Sequence, residues 1–127
     1  MAIRGIRGAT IAVADTPEAI RAATRELLEG LVAANDLHPD DVASVIFSTT
    51  ADLTAEAPAR AARELGWLEP AIMCLAEMDA AGGLPRCIRV LLHWNTDLRP
   101  DQVRHVYLGA AAQLRPDRAN HVSQQGA

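Results

Sequence analysis

Arginine is the residue type whose number and positions in this sequence most strongly suggest chemistry. All 12 basic residues are arginines, and lysine is absent. Arg89 stands within residues 87–92, an apolar segment that reads as a strand with two apolar faces. A buried guanidinium without a partner is very costly, so Arg89 should face an anion. That anion is either a carboxylate of the protein itself or an anionic group of a ligand, and position alone leaves both open.

A second strand-borne arginine, Arg7, lies between Gly5 and Gly8. These neighbours are small enough to leave room for something bound close to the backbone, and without Arg89 a surface arginine at a strand edge would be the favoured interpretation. Arg60 and Arg63 lie three residues apart on one face of a short predicted helix, where a solvated face is the simpler interpretation. Together these arginines predict a site for a small polyanion and do not fix its reaction.

Few other residues suggest a catalytic group. Glu77 ends a short predicted strand, where an exposed acid is usual. Tyr107 is the only tyrosine, and a buried hydroxyl would need a polar partner. His93 and His105 form no triad or metal pattern, so we interpret both as structural or surface residues. No phosphate-binding loop or dinucleotide fingerprint is present.

Composition excludes several classes of protein. The net charge of −4 argues against a general nucleic-acid binder, and the absence of lysine excludes Schiff-base chemistry. Cys74 and Cys87 lack zinc-site spacing, so we predict two buried, reduced thiols in a cytoplasmic protein without a membrane-spanning segment. Aromatic residues make up only 3%, which indicates a thin core and favours association of subunits.

The hydrophobic pattern predicts one α+β domain over residues 1–117, followed by a polar, flexible tail over residues 118–127. Thr16 and Pro17 begin a helix that Asn35 and Asp36 end, and Pro58 begins a shorter helix that Gly66 ends. The predicted order is β-α-β-α-β-β-β in a mixed sheet with helices on one side, with strands at residues 3–13, 42–50, 72–77, 87–94 and 105–108. The strand at residues 42–50 is expected to be buried on both faces.

Five segments in order resemble one family, the Bacillus-type monofunctional chorismate mutases of the AroH class. They are RGIRGAT at residues 4–10, APARAAREL at 57–65, CIRV at 87–90, RHVYL at 104–108 and LRP at 114–116. The resemblance implies a chorismate mutase II-like homotrimer with a barrel-like core and active sites between subunits. It also implies the cofactor-free [3,3] rearrangement of chorismate to prephenate, in aromatic amino-acid biosynthesis, with no metal and no nucleic-acid or membrane partner.

The same resemblance assigns roles to individual residues. Arg89 would donate to the ether oxygen and to a substrate carboxylate, and Arg7 and Tyr107 would hold the side-chain carboxylate. Glu77 and Cys74 would contact the ring hydroxyl. The remaining substrate-binding residues, with Arg63 and Arg115 at the mouth of the site, are Ala59, Arg60, Arg63, Met73, Leu114 and Arg115.

The sequence departs from the family pattern in places. Ala57 stands where the family commonly has Phe, which would open one wall of the site, and Met73 replaces a more polar residue. Two other classes of function remain as alternatives. One is an enamine or imine deaminase on a similar trimeric fold, and the other is a non-catalytic trimer that binds a carboxylate ligand.

Overall fold

The computed structural model describes residues 2–78 and 83–114, which form a five-stranded mixed sheet. The order across the sheet is β3-β2-β4-β1-β5. Strand β4 is antiparallel to β1 and β2, whereas β3 runs parallel to β2 and β5 runs parallel to β1. The strands are β1 (Ala2–Ile11), β2 (Val42–Thr49), β3 (Ala71–Ala76), β4 (Cys87–Thr96) and β5 (Val106–Tyr107). The predicted element order and the mixed sheet are confirmed.

Two helices are present in the described chain, α1 (Pro17–Asn35) and α2 (Ala59–Glu64). The Thr16 side chain accepts a hydrogen bond from the amide of Ala19, as expected of an N-cap, and the left-handed backbone of Asp36 ends α1. Short 3₁₀ turns occupy Pro39–Asp41, Pro100–Gln102 and Gly109–Leu114. Most predicted boundaries therefore hold within two residues. The first strand ends earlier than predicted, at Ile11, and β5 keeps only two residues.

The helices pack on one face of the sheet, as predicted. Leu27 of α1 and Ala62 of α2 share one buried cluster with Ile6, Phe47 and Ile88 of the strands. Gly8 belongs to this face, because a Cβ atom there would come within 3.0 Å of Leu27. Glycine at position 8 therefore allows helix α1 to pack closely against β1. On the helix side of the sheet, α1 already fills the space next to Gly8, so no ligand can bind there.

The other face, which we call the open face, is not covered by either helix. Cross-strand partners share a face, so the pairing of Arg89 with Ala9 and Ser48 places all three side chains there. Ile46 and Ser48 are half-exposed, so the prediction that β2 is buried on both faces was wrong for the single chain. For the same reason β4 has only one fully buried face, and the side chain of Arg89 is 35% exposed.

The two cysteines differ in environment. Cys87 is buried as predicted, but Cys74 is exposed because β3 is an edge strand. Neither cysteine forms a disulfide bond. Residues 115–127, which include Arg115 and the predicted tail, lie outside the described residues, so the domain boundary at residue 117 stays a prediction. None of the described helices is long and apolar enough to cross a membrane.

Candidate active site

Arg89 is held at the centre of the open face by its neighbours in the sheet. Strand β4 lies between β1 and β2, and the register sets Arg89 opposite Ala9 on one side and Ser48 on the other. Hydrogen bonding on both edges fixes the backbone of a central strand. The guanidinium is therefore presented from a rigid element, as precise recognition of an anion requires.

Glu77 follows β3 and turns its carboxylate toward Arg89. Its Oε1 atom lies 3.4 Å from the Nε atom of Arg89, and its Oε2 atom accepts a hydrogen bond from the Ser48 hydroxyl at 2.5 Å. The Arg89 contact lacks the geometry of a hydrogen bond, and Nε is buried without a hydrogen-bond acceptor among the described residues. A protein carboxylate thus accompanies Arg89, yet the guanidinium keeps a donor to offer.

A cavity of about 470 Å³ lies beside this pair. Arg89 and Glu77 line it together with Asp52, Met78, Cys87 and Leu114. Its size lies within the usual range for small-molecule sites. The ion pair therefore does not close the cavity. Arg89 faces a carboxylate of the protein, and the space beside it is large enough for an anionic ligand, so the two alternatives that the sequence left open do not exclude each other.

Tyr107 lies next to this cavity, in a second buried cluster with Ala9, Cys87 and Ala111. Leu114, which lines the cavity, packs against the same cluster. The Tyr107 hydroxyl is buried and has no hydrogen-bond partner within the described ranges. Because a buried hydroxyl without a partner is costly, it is a candidate donor to a bound ligand.

Arg7 shares the open face with Arg89 but lines a different groove, of about 340 Å³, with Leu91 and His105. Its amide donates to the Nδ1 atom of His105 at 3.0 Å, which confirms a structural role for that histidine. His93 is likewise bonded to Ser44. Among the described residues, no carboxylate lies within ion-pair distance of the Arg7 guanidinium. The structure thus places Arg7 beside the cavity of Arg89 and not inside it.

Three predicted substrate-binding residues lie on α2, and therefore on the helix side of the sheet. Ala59 is buried, whereas Arg60 and Arg63 are exposed. Arg60 pairs with Glu56 at 3.1 Å and with Glu64 at 3.4 Å, which agrees with a solvated face. Because the sheet separates α2 from Arg89, these residues and Arg89 cannot line one cavity within a single chain.

Two further predicted residues, Met73 and Cys74, lie on β3, and both are exposed. This strand leads directly to Glu77, but neither residue lines the cavity of about 470 Å³. The described chain therefore brings together Arg89, Glu77 and Leu114, with Tyr107 adjacent. The described residues include no group of three metal-ligating side chains.

A family model described as chorismate mutase type I matches residues 3–118. This chain belongs to that family. The chorismate mutase is also 49% identical over 118 residues to chorismate mutase AroH of Bacillus subtilis (strain 168), covering 92% of this chain and 93% of that relative. It is 51% identical over 116 residues to chorismate mutase AroH of Thermus thermophilus, covering 91% and 95%.

A solved structure of a chorismate mutase from Clostridium thermocellum superposes on the chain with a TM-score of 0.84 and 44% identity. The superposition covers 87% of this chain and 98% of that chain. The resemblance found in the sequence and the α+β fold are thereby confirmed, and the chorismate mutase is an isomerase. The matching family model is that of type I chorismate mutases, so the chain is of type I and not of type II.

Sequence reasoning missed three polar residues of the site, Ser48, Thr50 and Asp52. A signal was present, because Ser48-Thr49-Thr50 follows the apolar run Val45-Ile46-Phe47 and Asp52 comes two residues later. Polar residues at the end of a buried strand are typical of functional positions. The pairing of β2 with β4, which brings Ser48 to Arg89, is long-range and is not visible in the sequence.

Proposed function

We propose that this chorismate mutase rearranges chorismate to prephenate at the cavity beside Arg89, with a second copy of the chain completing the site. The reaction breaks an ether C–O bond and forms a C–C bond within one molecule, so it needs no nucleophile and no proton transfer. An enzyme must hold the enolpyruvyl side chain over the ring and stabilise the negative charge that grows on the ether oxygen.

The observation that carries the proposal is a buried, unsatisfied donor on a rigid strand beside a cavity, the Nε atom of Arg89. In the proposed role, Arg89 donates to the ether oxygen and to a substrate carboxylate. Tyr107 holds the side-chain carboxylate, Arg7 reaches the same carboxylate from its neighbouring groove on the open face, and Glu77 accepts from the ring hydroxyl. Ser48 fixes the Glu77 carboxylate, which leaves the Oε1 atom directed toward Arg89.

Charge supports the participation of a second chain. The described lining of the cavity carries one guanidinium, that of Arg89, and two carboxylates, those of Glu77 and Asp52. A dianionic substrate would be repelled from such a site unless further cations approached. The exposed Arg63 on α2 cannot reach this cavity in its own chain, so in our proposal it arrives from a neighbouring copy.

The exposed apolar surface also supports association. Strand β3 is exposed along both faces, and Met73, Leu75 and Ile3 are large apolar residues with more than 45% exposure. Apolar groups at the edge and on the open face of a sheet mark interaction surfaces. We propose the homotrimer with a barrel-like core that the family resemblance implies. The cytoplasmic location stays a prediction from the sequence.

Incubation of the purified protein with chorismate tests the proposed function. Conversion removes the conjugated diene of the substrate, so its ultraviolet absorbance should fall and prephenate should accumulate in equal amount. Binding of chorismate without turnover would instead indicate the non-catalytic trimer. Absence of both, with release of ammonia from enamine substrates, would indicate the deaminase class.

Replacement of Arg63 with alanine should raise KM for chorismate by about tenfold and change kcat by less than about threefold, because a rim charge attracts substrate more than it stabilises the transition state. Steady-state kinetics measure the split. Arg25→Ala is the matched control, since Arg25 is an exposed helical arginine outside the site, and it should change neither constant. A decrease in kcat that is larger than the increase in KM for Arg63→Ala would contradict the rim position.

Turnover should be constant between about pH 6 and 8, because no proton moves in the chemical step. Hydrogen bonds from the Thr50 hydroxyl and the Arg86 amide hold the pKa of Asp52 below its ordinary 3.8, and burial raises the pKa of the Cys87 thiol. The ionised Asp52 carboxylate therefore stabilises the folded state at every pH above its ordinary pKa of 3.8. This stabilisation is lost only as the pH falls through the lowered pKa of the folded protein. A bell-shaped kcat profile near neutrality would instead indicate acid–base catalysis.

A further inference from the structure

One residue that lines the cavity has no place in the proposed chemistry. Asp52 is an exposed acid in the segment after β2, and an anion there should disfavour a dianionic substrate. Both oxygens of its carboxylate nevertheless accept hydrogen bonds from the protein. The Thr50 hydroxyl donates to Oδ1 at 2.5 Å, and the amide of Arg86 donates to Oδ1 at 3.1 Å and to Oδ2 at 2.9 Å.

The backbone of Arg86 is in the left-handed region, with φ of 49°. A residue with a Cβ atom is strained there and keeps this conformation only where its surroundings enforce it. Two contacts enforce it. The Asp52 carboxylate accepts a hydrogen bond from the Arg86 amide, and the carbonyl of Ala12 accepts one from the Arg86 side chain at 2.9 Å. Arg86 immediately precedes β4, whose first residue is Cys87.

The same contacts tie together the ends of three strands around the cavity. The Thr50 hydroxyl accepts from the amide of Cys87 at 2.9 Å, and the Thr50 amide donates to the Cys87 carbonyl at 3.1 Å. The amide of Ala12 donates to the carbonyl of Arg86 at 2.9 Å. The start of β4 is thereby fixed against the ends of β1 and β2, and Arg89 follows three residues after Arg86.

From this arrangement we infer that Asp52 is a positioning residue for the rearrangement: it holds Arg86 in its left-handed conformation and so sets where β4 presents Arg89. The inference rests on the proposed role of Arg89. An electrostatic donor acts only from the correct place, and a shift of about 1 Å costs about a hundredfold in rate. Asp52 acts through the backbone and does not touch the substrate.

The test is a cycle of two substitutions, measured by kcat for chorismate and by the midpoint of thermal unfolding. Asp52→Ala should lower kcat by about ten- to a hundredfold with a smaller change in KM. Glycine adopts a positive φ without strain, so in an Arg86→Gly background the same change should lower kcat by less than about threefold. An equal loss in both backgrounds would overturn the inference.

Two further variants separate positioning from stability. Asp52→Asn keeps an acceptor oxygen for the Arg86 amide, so it should recover most of kcat, even where Asp52→Ala folds poorly. Asp15 offers a matched control, because its carboxylate accepts from Thr54 and Ala55 in the same manner but on a segment that does not line the cavity. Asp15→Ala should lower the unfolding midpoint and leave kcat within about twofold.

The outcomes also distinguish the inference from the proposed function. A wild-type protein without turnover would overturn both. An active wild type with equal kcat in Asp52→Ala and Asp15→Ala would overturn the inference alone, because Asp52 would then be a purely structural residue.

Discussion

Replacement of Arg89 with alanine should lower kcat for chorismate by at least about a hundredfold to a thousandfold, with little change in KM. Removal of a single preorganised donor to a developing oxyanion costs about 2.7–4 kcal/mol of transition-state stabilisation in enzymes, and an arginine supplies charge as well as a donor. Charge on the ether oxygen grows only as the bond breaks, so the loss should appear in kcat. Steady-state kinetics followed by chorismate absorbance give both constants.

Two controls make the Arg89 result specific. Arg99→Ala removes an arginine that is 71% exposed and pairs with Asp101 on a distant turn, and it should leave the kinetics unchanged. Arg89→Ala also leaves Glu77 without its cation, so the double variant Arg89→Ala with Glu77→Ala is needed. Recovery of activity in the double variant would mean that Arg89 only neutralises Glu77. Near-normal turnover of Arg89→Ala itself would refute the assigned role.

A second large effect is expected from Ile3→Glu on the open face. Ile3 is 59% exposed in the single chain, so the change should not disturb its folding. It lies opposite Asn95, six residues along β4 from Arg89 and hence about 20 Å away. If subunits pack through this face, each glutamate would be buried at an interface at a cost of several kcal/mol, and the assembly carries three of them.

We therefore expect Ile3→Glu to sediment as a monomer and to lose at least about a hundredfold in kcat/KM, because its sites lack the neighbour's cations. Analytical ultracentrifugation and the absorbance assay measure the two effects. Val13→Glu is the control, since Val13 is an equally apolar residue with 86% exposure beyond the end of β1. Full activity of a monomeric Ile3→Glu protein would contradict the shared site.

Local patterns in the sequence were sufficient to predict the elements. Thr16 and Pro17 begin α1 and Asp36 ends it, because capping and helix geometry depend on adjacent residues. Alternation along β1 likewise separates Ile6 from Arg7. What the pattern of β4 could not provide is which face Arg89 occupies, since Val90 and Leu91 are both apolar. Only the pairing with β1 and β2 decides this.

The sequence indicated candidate residues of the site, but it did not indicate the contacts that hold them in place. Arg89 and Tyr107 were selected because a buried charge or hydroxyl group in an apolar strand needs a partner, whereas Glu77 was assigned only by the family resemblance. The contacts of Asp52 with Arg86 join residues 34 positions apart in the chain, so no local pattern indicates them. The exposure of Cys74 was missed for the same reason, because edge position depends on the order of strands in the sheet.

The most direct test of the Arg89 assignment is a crystal structure of the protein with bound prephenate. In the rearrangement, the ether oxygen of chorismate becomes the ketone oxygen of prephenate. We predict that the Arg89 guanidinium lies within hydrogen-bond distance of that oxygen and of a product carboxylate, in a cleft where Arg63 of the partner subunit also reaches the ligand. A structure in which Arg89 contacts only Glu77, with prephenate bound elsewhere, would contradict it.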